Sequence, residues 1–80
     1  MTDLKALVEF IAKGLVNNPD DIEVRSEQEG NTLTYYLSAS SADVGRIIGR
    51  QGATVTAIRH LMRAVSSRDG VKVDLRVDER

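Results

Sequence analysis

Eighty residues with eleven basic and twelve acidic side chains, a net charge of −1, can bury only one small core. The chain has no cysteine, which excludes disulfides and thiolate metal sites and leaves the redox compartment open. No apolar run approaches the roughly 20 residues of a membrane span, and the charged amino-terminal stretch (Asp3, Lys5, Glu9) is unlike a signal peptide. The expectation is one domain over residues 1–80, ordered from about 3 to 77, in a soluble, cytoplasmic protein.

From about Asp3 to Val16, the residues Leu4, Leu7, Val8, Ile11 and Leu15 recur at helical spacing, with Lys5, Glu9 and Lys13 off the stripe. Asn17-Asn18-Pro19-Asp20-Asp21 stops this helix, because proline cannot continue it. Two period-2 runs follow. Ile22, Val24 and Ser26 alternate with Glu23, Arg25 and Glu27; Leu33, Tyr35, Leu37 and Ala39 alternate with Thr32, Thr34, Tyr36 and Ser38. Glu29-Gly30-Asn31 between them suits a hairpin turn.

Ser40 and Asp43 have the spacing of a capping box, with aspartate in place of the usual glutamate, and predict a helix of two turns. A second helix from about Ala53 to Ser67 would bury Val55, Ile58, Met62 and Val65. Arg68-Asp69-Gly70 then turns into a strand in which Val71, Val73, Leu75 and Val77 alternate with Lys72, Asp74, Arg76 and Asp78. The order helix, strand, strand, helix, helix, strand is α+β. A right-handed two-helix crossover predicts a last strand parallel to the second, in a three-stranded mixed sheet with three helices on one face. The other face, with Glu23, Arg25, Thr34, Tyr36, Lys72 and Arg76, reads as solvated.

Gly49-Arg50-Gln51-Gly52, between the last two helices, is the segment that speaks most directly of function. Such a turn is expected to expose backbone N–H groups at the start of the second helix, where the dipole favours an anion. Glycine at both ends would let a phosphate chain approach without meeting a Cβ. Charge is distributed to match. Residues 1–30 hold three basic and seven acidic side chains, a balance of −4; residues 41–70 hold five and two, a balance of +3. The excess comprises Arg46, Arg50, Arg59, Arg63 and Arg68, arranged as a local electrostatic footprint. Arg46 is beside the loop and is the one expected to touch phosphate; Arg59 and Arg63 read more simply as solvated helix charges, as does His60.

This order of elements, with Ile47-Ile48-Gly49-Arg50-Gln51-Gly52 followed by Val55 and Ile58, resembles a type II KH domain over nearly the whole chain. Asn18-Pro19-Asp20 and the ten residues from Asp43 to Gly52 are most similar to the small stand-alone bacterial KH proteins of the KhpA-like family. The resemblance implies binding of single-stranded RNA, with Gly49, Arg50, Gln51 and Gly52 clamping about four nucleotides of backbone. Val44, Gly45 and Ile48 would wall the bases, although Gly45 could equally serve close helix packing and Val44 and Ile48 could belong to the core. Ala53 departs from the basic residue expected there, which bears on affinity. Phe10, Tyr35 and Tyr36 all lie outside the motif, so the chain offers no stacking platform there.

Ala57, Leu61 and Ala64 widen the apolar arc of the second helix to about half its circumference, at about 100° per residue. That strip reads either as helix buried between neighbours or as a dimer interface. The resemblance implies association with a second copy or with a larger Jag-type KH protein, and a role as RNA chaperone or post-transcriptional regulator. A KH fold used only as a protein adaptor is the alternative. Catalysis is not expected: there is one histidine, no cysteine, no suggestive carboxylate pair and no nucleotide-binding fingerprint. Neither cofactor nor metal is called for.

Overall fold

The computed structural model describes residues 4–67 and 70–80, so Asp3, Arg68 and Asp69 lie outside the described residues. Its elements are α1 (Leu4–Leu15), a 3-10 turn (Pro19–Asp21), β1 (Glu23–Glu29), β2 (Thr32–Ala39), α2 (Ser41–Ile48), α3 (Ala53–Ser66) and β3 (Lys72–Glu79). The sheet order is β1-β2-β3, with β1 antiparallel and β3 parallel to β2. This is the α+β arrangement of a type II KH fold, with helices on one face of a mixed sheet.

Side-chain periodicity explains the layering. On one face of the sheet, Val24, Leu37 and Val77 stand in line across the strands, as do Ser26, Tyr35 and Leu75. Tyr35, Leu37 and Leu75 are buried there, with Leu4, Val8 and Ala12 of α1, Ile47 of α2, and Val55, Ile58 and Met62 of α3. The hairpin closes over Gly30-Asn31, since Glu29 pairs with Thr32. Gly30 has φ +60, a left-handed conformation that glycine adopts without a Cβ penalty.

Two details of α1 and the open face differ from the sequence reading. Leu15 is exposed, because the helix ends there, and Val16 packs against the core in its place; Ala12 is the buried residue of that last turn. Tyr36 is half-buried, with the Arg25 guanidinium 4.5 Å from its ring centroid. Arg25 also donates to Glu27 at 3.1 Å, so this face carries local pairing as well as solvated charge.

Candidate nucleic-acid interface

Ile47 anchors α2, fully buried, and such a side chain contributes about 2–3 kcal/mol on leaving water. The next residue turns the other way: Ile48 is 36% exposed. Val44 is half-buried and packed against the core, while Gly45 is exposed. A Cβ at Gly45 would meet nothing within 4 Å, which removes close helix packing as the reason for glycine there. Val44, Gly45 and Ile48 therefore form a shallow apolar shelf beside the glycine turn.

The turn itself is a left-handed crank between two right-handed helices. Gly49 (φ 76, ψ 174) occupies a region essentially reserved for glycine, Gln51 has φ 56 and ψ 26, and Gly52 has φ 76 and ψ 11. At Gly49 a Cβ would also run into the Thr54 side chain and lie 2.9 Å from the Thr54 nitrogen. The first glycine is thus demanded by contact within the chain, and the second by its backbone conformation alone. Thr54, which the sequence reading passed over, is the residue that packs on Gly49; its position two residues past Gly52 was the available signal.

Several donors of the turn are used within it. Gly49 N–H donates to Gly45 O at 2.9 Å, Gly52 N–H to Gly49 O at 3.2 Å, and Ala53 N–H to Arg50 O. The N–H groups of Arg50 and Gln51, in the middle of the turn, take part in none of the bonds that close it. Gly52 caps α3 without a side-chain hydrogen bond, and no acidic residue stands in the first turn of that helix.

Asp43, at the start of α2, is buried and is wired to a distant segment. It accepts from Asn17 N–H (3.2 Å), Asn18 N–H (3.0 Å), Asn18 Nδ2 (3.0 Å) and Ser40 Oγ (3.2 Å). Burial pushes its carboxyl up, but the bonds from the Asn18 side chain, from Asn17 and Asn18 N–H and from Ser40 outweigh this and hold it below its ordinary value. The expected capping box does not form. Ser40 makes no side-chain cap and donates to Asp43 instead, because the carboxylate is turned toward the end of α1. Asn18 and Asp43, drawn from separate sequence motifs, thus meet.

Arg46 is half-exposed beside the turn, its Nε 3.7 Å from Asp43 Oδ1. Arg50 is exposed and forms no ion pair among the described residues. Arg59 leaves the basic cluster: its Nε and Nη2 both donate to Leu75 O, at 3.0 and 2.8 Å, and it pairs with Asp74 at 3.6 Å. Arg63 is exposed, and Arg68 lies outside the described residues. A cleft of about 660 Å³ on the open sheet face and a groove of about 520 Å³ beside β3 both lie away from the turn.

The family described as "KhpA/KhpB, KH domain" matches residues 5–77. The chain belongs to the KhpA/KhpB KH-domain family. It is 41% identical over 76 residues to "RNA-binding protein KhpA" of Chlamydia trachomatis, covering 95% of this chain and 97% of the relative. To the protein of that name in Listeria monocytogenes it is again 41% identical over 76 residues, covering 95% and 100%. The one in Halalkalibacterium halodurans is 39% identical over 72 residues, covering 90% and 95%. Both segments singled out in the sequence, Asn18-Pro19-Asp20 and Asp43 to Gly52, fall inside the matched region of the KhpA/KhpB family.

Proposed function

We propose that this chain binds single-stranded RNA without catalysis, clamping its sugar–phosphate backbone at Gly49, Arg50, Gln51 and Gly52. The observation that carries the reading is the crank at the glycine turn, which leaves the Arg50 and Gln51 N–H groups out of its own hydrogen bonding. Two unused amides beside an uncapped helix start favour an anion. Arg46 adds a second charge next to the turn, and Val44, Gly45 and Ile48 supply an apolar surface for bases. The KhpA relatives carry RNA binding in their names, which supports the same assignment. An RNA chaperone or post-transcriptional regulator of the cytoplasm is the role that fits.

The double variant Arg50→Asp/Gln51→Asp tests the clamp. It should abolish binding of an unpaired oligoribonucleotide in a fluorescence-anisotropy titration while the thermal midpoint stays nearly unchanged. Wild-type affinity in that variant would favour the adaptor reading, in which the turn is idle.

Pairing belongs to the same proposal. Leu61 is 44% exposed, and Ala57 and Ala64 are exposed beside it, so the strip on α3 is not covered within one copy. A second copy or a Jag-type KH protein would cover it, and joining two weak, short-footprint modules raises apparent affinity through effective concentration. Leu61→Asp should give a folded monomer in light scattering. An unchanged mass relative to wild type would remove the strip from the interface.

A further inference from the structure

Along β3 the even-numbered residues turn their backbone toward β2: Lys72 N–H donates to Asn31 O and Arg80 N–H to Ala39 O, both at 2.7 Å. Odd-numbered residues therefore turn theirs to the outer edge. At Leu75 that edge is closed. Its carbonyl receives the Arg59 fork, and its N–H donates to Asp74 Oδ1 at 2.8 Å. At Val73, one outward step nearer the strand's start, the described residues provide no such partner.

The groove of about 520 Å³ lies beside this open position, between β3 and the end of α3. Val71 and Val73 line it with Arg63, Ser66, Lys72 and Asp74, whose carboxylate is taken up by Arg59 and by Leu75 N–H. Arg63 follows Arg59 by one helical turn and so faces the same edge, but it forms no ion pair among the described residues, and neither does Lys72. The Ser66 hydroxyl donates to Arg63 O at 3.4 Å, covering one carbonyl at the negative end of the helix. A strand edge and two cations without partners among the described residues thus meet an apolar lining at one place.

We infer that this groove takes an extended acidic peptide segment, added to the sheet as a short fourth strand at Val71–Val73. The edge at Val73 supplies one donor and one acceptor, which is what a strand backbone matches. Successive side chains of an added strand point to opposite faces, so two adjacent acidic residues would meet Arg63 on the helix side and Lys72 on the open side. The Arg59 fork at Leu75 ends the ladder and keeps it short. The groove lies roughly 20 Å from the glycine turn, at 1.5 Å per residue along α3, so both surfaces can be occupied together.

The test pans a displayed library of random heptapeptides over the immobilised full chain and over an Arg63→Glu/Lys72→Glu variant. Wild type should enrich β-branched sequences with adjacent acidic residues at least tenfold over the variant, and a selected peptide should shift the Val71 and Val73 amide signals. Enrichment no better than on an unrelated domain, or equal on the variant, would overturn the proposal. So would shifts of those two amides by octauridylate, which would assign the groove to RNA. Should the double variant unfold, Arg63→Gln alone must still lower enrichment.

Discussion

In the first turn of α2, Asp43 places a buried carboxylate that receives hydrogen bonds from Asn17, Asn18 and Ser40. At the start of α3 the capping residue is a glycine without a side-chain bond, and the first turn carries no acid. Both helices present the positive end of a dipole there. In α2 the chain supplies the compensating anion itself, and that anion doubles as the tie between α2 and the end of α1. In α3 the position is left to solvent, the condition an anion from outside requires. Local neglect at one helix start and dense wiring at the other are two answers to one electrostatic problem.

The contrast is most severely tested at Asp43. Asp43→Ala strands several donors at once and should cause the largest fall in thermal midpoint among the variants named here. Its folded pKa lies below the ordinary value of 3.8, so its contribution is complete above that value and fades as pH falls through the folded one. In urea titrations the gap between wild type and Asp43→Asn should hold down to about pH 4 and narrow below it. A gap that is constant to the lowest pH would show that the carboxylate's charge is not what holds α2.

Gly49→Ala comes next, at about 2–3 kcal/mol in urea unfolding, from a conformation closed to alanine and the collision with Thr54. A variant as stable as wild type would mean that the turn relaxes without that contact. The smallest effect is a gain: Gln51 holds a left-handed conformation that costs a non-glycine residue roughly 1 kcal/mol, so Gln51→Gly should stabilise by up to about that amount. Loss of stability in that variant would reveal a structural duty for the Gln51 side chain, and the start of α3 would then be less open than described.

Periodicity made the elements and the hairpin readable, because they depend on side chains two to four residues apart, and the handedness of the two-helix crossover made the third strand's direction readable. The glycine turn was readable for a similar reason, since its residues are contiguous. Asp43 was not: capping rules look three residues along, whereas Asn18 reaches it from 25 residues away. Arg59 was read as a solvated charge because nothing near it in sequence reveals that Leu75, 16 residues on, needs its carbonyl closed. The role of Gly49 was half legible. Its conformational freedom could be foreseen, but the approach of Thr54 needs the crank in three dimensions.

The crossover between β2 and β3 also sets an order of assembly. The hairpin joins neighbours in sequence and can form early, whereas β3 finds its place only after two helices have been threaded past the sheet. Until then, the β2 rim and the apolar undersides of α2 and α3 have no cover. The nascent chain is therefore most vulnerable to mispairing in the interval before its final eight-residue strand arrives.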